Sequence, residues 1–412
     1  MSKSDVAIIV GGSHAAVQLA LSLRLEGWEG QILVITDDSY LPYHRPPLSK
    51  DYLSGETQAD NLLIRQPAFY EKQAIDFRLN TQVVALDPAE HRLTLDSGES
   101  LSYTKLALCT GARARKLDIP GARLKGVHYL RDLSDAEKIK ANLKPGGRAV
   151  IIGGGYIGLE TASLLRKIGM EVCVLEAMDR VLQRVTSAEI SAFYTRVHSE
   201  EGVEIKTNVA VTEIVGGDFV EKVLCSNGEE IEADLVIVGI GVIPNIELAE
   251  SAGLDVDNGI LVNEFAQTSD ADIVSAGDCT NYPNLVYGGH TRLESVPNAT
   301  EQAKTAAASI CGNQKSYDAL PWFWSNQYDL KLQIAGLNQG YDQVAIRGDI
   351  EVDRSFVVWY LKEGRVIAAD CINRPVEFML AKQLLTANRE LPMTELLDDS
   401  TDAKSLLALL RN

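Results

Sequence analysis

The sequence predicts an α/β protein with two Rossmann-like dinucleotide-binding domains and a C-terminal α+β domain, and three observations carry that expectation. The run VAIIVGGSHAA (Val6 to Ala16) is followed by QILVITD (Gln31 to Asp37), and RAVIIGGGYIG (Arg148 to Gly158) by EVCVLE (Glu171 to Glu176). Each is a β-branched run, a glycine-rich turn, an apolar-periodic helix and a second strand ending in an acid, so each aims a helix N-terminus at a phosphate. Two such units imply two dinucleotides. From about Pro321 the texture changes to alternating runs such as FVVWYL (Phe356 to Leu361) and RVIAA (Arg365 to Ala369), with a helical stretch around Glu377 to Ala387. That is the pattern of a separate α+β module.

Bulk properties bound the answer from outside. At 412 residues the chain exceeds what one hydrophobic core supports, so two or three domains are expected. A net charge of −18 sets a repelling field against nucleic-acid phosphates. No apolar stretch reaches the roughly 18 residues a spanning helix needs, and MSKSDVAIIV enters a strand without the regions of a signal peptide. No membrane contact and a cytoplasmic location are expected. The six cysteines are scattered with no C-x-x-C pair, which argues against a metal site, an iron–sulfur cluster or a dithiol centre and for small buried hydrophobes.

The second glycine turn is complete. Gly153 permits the tight turn, Gly155 lets the backbone close on a pyrophosphate, and Gly158 allows the helix to pack on the strand. Glu176 ends the next strand where a carboxylate accepts from both adenosine ribose hydroxyls and repels a 2′-phosphate, so NADH is expected over NADPH. The first turn keeps Gly11 but has Ser13 and Ala16 at the later positions. Ser13 puts a Cβ where a backbone should approach phosphate. Asp37, placed for a ribose, and the distant pair Gly277 and Asp278, suited to a polyol such as the ribityl chain of FAD, restore the case for a ligand.

Further blocks are PPLSK (Pro46 to Lys50), GGGYIGLE (Gly153 to Glu160), TSD (Thr268 to Asp270) with GDC (Gly277 to Cys279), ESVPNA (Glu294 to Ala299), PWFWS (Pro321 to Ser325) and NRPVEF (Asn373 to Phe378). In these ordered blocks the chain resembles the FAD-dependent, NADH-linked ferredoxin reductases of bacterial oxygenase systems over nearly its whole length. The resemblance implies a glutathione-reductase-like fold: an FAD domain from residues 1–112 and 244–318, an NAD domain at 113–243 and a C-terminal domain at 319–412. It places Ala15, Asp37, Lys50, Val83, Arg131, Asp278 and Val296 on FAD, with Gly11, Ser13, Arg45, Pro46, Thr110, Gly111, Gly277 and Trp324 completing that set. Tyr156, Ile157, Glu160 and Gly241 join the three glycines and Glu176 on NAD.

In LPYHRPPLSK the prolines fix φ and stiffen the loop. Lys50 can then reach the N5 region of a flavin, with Glu160 as its partner; the two are expected to act in catalysis with Trp324. The segment from Asp37 to Lys50 holds no cysteine. Without a thiol relay, electrons must leave the flavin directly, which suits one-electron acceptors. Trp322 and Trp324 alternate on a strand, where core packing would explain them as well; the resemblance puts them at the exit to a [2Fe-2S] ferredoxin, with Arg65, Lys304 and Lys382 as docking cations and an oxygenase downstream. Two alternatives remain at this level: a rubredoxin or other FAD/NADH reductase, and a flavin-bearing interaction protein of the apoptosis-inducing-factor type.

Overall fold

Both glycine turns join a central parallel strand to a helix. The computed structural model describes residues 2–387 and 391–411. It divides into one unit of Met1–His44, Ala59–Arg113 and Val242–Ala319 and another of Arg45–Gln58, Ala114–Gly241 and Leu320–Asn412.

The first unit is built on five parallel strands in the order Ile273–Ser275, Lys105–Leu108, Val6–Val10, Gln31–Ile35 and Ile75–Arg78. Their sequences are almost unbroken apolar runs because both faces are covered. On one face the helices His14–Leu25 and Val296–Ile310 lie against each other through Ala15, Ala16, Ala20, Ala299, Ala303, Ala306 and Ala307, small residues that let the two backbones approach. Over the other face run the antiparallel strands Val83–Asp87, Arg92–Leu95 and Ser100–Ser102, which bury Val83, Leu86, Leu93 and Leu95 against Ile8, Val10, Leu33 and Ile35.

The second unit repeats the plan. Its parallel strands run in the order Val203–Lys206, Glu171–Leu175, Arg148–Ile152, Leu235–Val238 and Val127–Tyr129, with the helix Tyr156–Ile168 crossing from Arg148–Ile152 to Glu171–Leu175. Joined to this is an antiparallel sheet in the order Trp322–Gln327, Leu330–Gly336, Arg365–Ile372, Phe356–Lys362 and Gln343–Arg347. The helix Pro375–Ala387 packs on that sheet, burying Phe378, Leu380, Ala381 and Leu384 with Trp359 and Leu361.

Residues 45–58, which the sequence reading leaves inside the first segment, pack with the second unit. The reason is polar as well as apolar: Ser49 and Lys50 bond Glu160 on the helix Tyr156–Ile168, while Leu48 and Leu53 are buried. Among the described residues no helix is long and apolar enough to cross a membrane.

A buried carboxylate ties the antiparallel sheet to the start of the helix Ala188–Glu200. Asp370 is 1% exposed and its Oδ2 accepts from Thr186 Oγ1 and the Tyr360 hydroxyl, both at 2.6 Å. Tyr360 in turn accepts from the backbone N–H of Ser187, the N-cap of that helix. Among the described residues no cation pairs with Asp370, and burial pushes its carboxyl up to about 6, with the two hydroxyls only partly offsetting it. A carboxyl raised in the folded state stabilises below its unfolded value and loses that contribution as pH rises through the folded one. Asp370→Asn, which cannot ionise, should therefore gain on the wild type between pH 5.5 and 8. The expected gain is about 1 kcal/mol of a full effect of about 3 kcal/mol. Thermal unfolding midpoints across that range check it; a constant difference would show that Asp370 does not titrate there.

Candidate active site

The two turns share one backbone geometry. Gly11 and Gly153 have φ of +115° and +109°, and each donates its N–H to the end of the neighbouring strand, at Ile35 and Leu175, over 2.8 Å. A Cβ on Gly11 would stand 2.1 Å from the Cys109 carbonyl oxygen, and one on Gly153 would stand 2.5 Å from that of Gly239. Neither position admits a side chain. A Cβ on Gly158 would meet the Gly153 carbonyl oxygen at 2.1 Å, so only glycine lets the helix close on its turn. At Gly155 the same test finds nothing within 4 Å. That glycine keeps open space in front of the helix Tyr156–Ile168, whose N-terminus no side chain caps. These features fit a dinucleotide pyrophosphate.

Glu176 is fixed at the rim of this turn: Oε2 accepts from Gly154 N at 2.7 Å and Oε1 from Met178 N at 2.9 Å. The first turn differs by one residue. Ile35 and Leu175 occupy equivalent strand ends, so Thr36 stands where Glu176 does and packs under Gly12, while Asp37 follows as an exposed residue one position later. Ser13, the N-cap of the helix His14–Leu25, has an extended backbone, and the helix start carries no side-chain cap there either. The structure brings Ala15 beside Gly277, at which a Cβ would lie 3.2 Å from that of Ala15. Gly277, at φ +96°, donates to Gln302 Oε1, which also accepts from Thr280 Oγ1; this buried amide shapes the turn that carries Asp278. Val296 opens the neighbouring helix. Thr110 and Gly111 are clamped by Asn245, which bonds the Thr110 and Gly111 carbonyls and accepts from Thr110 Oγ1 through its own. Neither Asn245 nor Gln302 is marked by any local motif. Val83 is buried in the sheet packing.

In the second unit the proline loop forms a single tight turn, Pro46–Ser49, and delivers Lys50. Lys50 Nζ lies 2.6 Å from Glu160 Oε2, with side-chain exposures of 18% and 7%. Glu160 also accepts from Ser49 Oγ at 2.6 Å and, through Oε1, from Ser325 Oγ at 2.7 Å. A buried carboxylate needs such company: removing one partner of a buried pair costs about 3–5 kcal/mol. Arg45 donates to the Arg131 carbonyl at 2.8 Å, which brings those two residues together. The Tyr156 ring packs on Phe323 at 4.8 Å, Ile157 is exposed, and Gly241 turns at φ +102°.

Trp322 and Trp324 share a face of their strand with centroids 5.5 Å apart, and Trp322 continues to Phe378 at 5.8 Å. Lys382 Nζ sits 5.0 Å over the Trp322 ring. Arg65 and Lys304 belong to the first unit, Arg65 over Phe69 and Lys304 paired with Glu301.

All six cysteines are free. Five are buried, and Cys311 is half-buried with its thiol pushed up to about 11 by desolvation. Burial pushes the Cys109 and Cys371 thiols well above their ordinary value too. None is a ready nucleophile.

Two dinucleotide turns, a lysine from the proline loop paired with a glutamate on one of their helices, and no reactive thiol define a pyridine-nucleotide-linked reductase of the two-dinucleotide class. The chain belongs to the pyridine nucleotide-disulphide oxidoreductase family, which it matches over residues 5–303, and it matches the family described as reductase C-terminal over residues 322–407. It is 43% identical to putidaredoxin reductase CamA of Pseudomonas putida, covering 99% of this chain and 98% of that one. It is 40% identical to a rubredoxin-NAD(+) reductase of Pseudomonas putida, covering 89% of this chain and 96% of that one. The crystal structure of the covalent putidaredoxin reductase–putidaredoxin complex superposes with a TM-score of 0.96 at 43% identity over the whole of both chains.

Glu176→Gln keeps an acceptor for the Gly154 N–H and removes the charge. The ratio of kcat/KM for NADH over NADPH should fall about tenfold, equivalent to about 1.4 kcal/mol. An unchanged ratio would take Glu176 off the ribose.

Proposed function

We propose that this chain is the NADH-dependent reductase of an oxygenase system, and that it works in the cytoplasm. Bound FAD would supply the link between a two-electron donor, NADH, and a one-electron acceptor, a [2Fe-2S] ferredoxin that serves a cytochrome P450 or a ring-hydroxylating oxygenase. The observation that carries this reading is the Lys50–Glu160 pair, held at 2.6 Å in a chain whose six free thiols are buried or, at Cys311, half-buried with the pKa raised. Disulfide chemistry needs an accessible thiolate, and this chain offers none.

The residues divide the work. The open N-terminus behind Gly155 takes the NADH pyrophosphate, and Glu176 selects the unphosphorylated ribose. The turn at Gly11 and Ser13, with Ala15, Asp37, Gly277, Asp278 and Val296, binds FAD. Lys50 supplies a cation that stabilises the electron-rich reduced ring, and Glu160 holds it in place. The Trp324–Trp322 ladder, ending under Lys382, is the exit to the ferredoxin, with Arg65 and Lys304 as further candidate contacts for an acidic partner. Ferredoxin is favoured over rubredoxin by the extent of the likeness: putidaredoxin reductase matches over 99% of the chain at 43% identity, the rubredoxin reductase over 89% at 40%.

A carrier screen tests the assignment. NADH should bleach the bound flavin in a stopped-flow experiment, and cytochrome c reduction should then depend on an added [2Fe-2S] ferredoxin. Rates supported only by rubredoxin would transfer the chain to the other class of acceptor. Trp324→Ala should slow ferredoxin reduction at least tenfold while NADH-to-ferricyanide turnover changes little; equal losses in both assays would place the ring outside the exit path.

A further inference from the structure

The third donor to Glu160 is the end of a longer file. Ser325 Oγ, which donates to Glu160, stands 3.2 Å from Gln327 Nε2; Gln327 Oε1 stands 2.8 Å from His198 Nε2; and His198 Nδ1 stands 3.2 Å from the Tyr328 hydroxyl. Ser325, Gln327 and His198 are 0%, 1% and 0% exposed. Four polar groups from a strand, its turn and the helix Ala188–Glu200 are thus threaded through the core toward one carboxylate.

The carboxylate dictates every orientation in the file. An ionised Glu160 can only accept, so the single Ser325 proton points at it, and Ser325 can only accept from its other neighbour. Gln327 must then present its NH2 to Ser325 and its Oε1 to His198. His198 must carry its proton on Nε2, leaving Nδ1 bare to accept from Tyr328. Burial lowers the imidazole's affinity for a second proton, in keeping with a neutral ring. The outer end is held at a cost: Tyr328 adopts φ +53°, a left-handed conformation that a bulky side chain rarely takes, with its ring packed edge-on against His198 at 5.1 Å. Such strain persists where surrounding structure over-determines it.

We infer that Ser325, Gln327 and His198 are positioning residues that deliver an aligned hydrogen-bond dipole to Glu160 and so set how much of the Lys50 charge is left to act on the flavin. The inference rests on the reading of Lys50 as the flavin's cation. With Ser325 donating, Glu160 has three donors and draws less on Lys50; without it, the carboxylate leans on Lys50 and Ser49 alone and cancels more of the cation.

The test is the midpoint potential of the flavin in the holoenzyme, measured by dye equilibration, with the histidine tautomer read by nitrogen-15 NMR. Lys50→Met should move the potential negative. Ser325→Ala and Gln327→Met should move it the same way by a smaller amount, and Ser325→Thr should restore it. His198 should be the Nε2–H tautomer in the wild type, and Glu160→Gln, which frees Ser325 to reorient, should shift its nitrogen resonances. Unmoved potentials in Ser325→Ala and Gln327→Met beside a shifted Lys50→Met would overturn the positioning role and leave the reading of Lys50 intact. An unmoved Lys50→Met would overturn that reading and the inference with it. A wild-type His198 protonated on Nδ1 would overturn the inference even if a variant failed to fold.

Discussion

A charged carboxylate in a dry place is the constraint around which the second unit is arranged. Glu160 lies on the helix Tyr156–Ile168 and is 6% exposed, so water does not solvate it. An isolated buried carboxylate would cost several kcal/mol even after relaxation. Its donors come from well-separated stretches of chain: Ser49 and Lys50 from the proline loop, Ser325 from a strand some 165 positions away. Satisfying one side chain therefore fastens the loop, the nucleotide helix and the antiparallel sheet together. The prolines serve this end, because a loop with fixed φ loses little entropy when its lysine is immobilised.

The same sheet contains a second buried carboxylate solved differently. Asp370 has only hydroxyl donors and its carboxyl rises to about 6; Glu160 has a cation within 2.6 Å. The contrast separates structure from chemistry. Asp370 ties Thr186 and Tyr360 together and could do so in either protonation state. Glu160 is useful only as an anion, because only an anion holds Lys50.

What the sequence displays and what it conceals follow from the range of the interactions. Gly153 and Gly158 are legible because the turn and the helix that need them are adjacent in sequence: Gly153 turns at positive φ, and a side chain on Gly158 would strike the Gly153 carbonyl five residues before it. The central parallel strands are legible because coverage on both faces makes them largely apolar, and Trp322 and Trp324 share a face because strand residues alternate. Ser325, Gln327 and His198 could not be read: nothing near a serine tells which carboxylate it will face from another part of the chain. Asn245 and Gln302 are silent for the same reason, and the one-residue offset between Asp37 and Glu176 emerges only when the two strand ends are aligned by their hydrogen bonds.

The pairing of a fixed cation with sealed thiols decides which electron acceptors the protein can serve. A thiolate beside the flavin would take electrons in pairs and pass them to sulfur. Here five thiols are buried and Cys311 is half-buried, and wherever burial moves a thiol's pKa it moves it upward, so desolvation closes that route. Electrons must leave through space, one at a time, and aromatic rings in contact shorten that passage. The Trp324, Trp322 and Phe378 rings are spaced at 5.5 and 5.8 Å and end beneath a cation in a chain of net charge −18. On the proposed function, a local positive charge at the end of this aromatic ladder, in so acidic a protein, is where an acidic electron carrier would approach without being repelled.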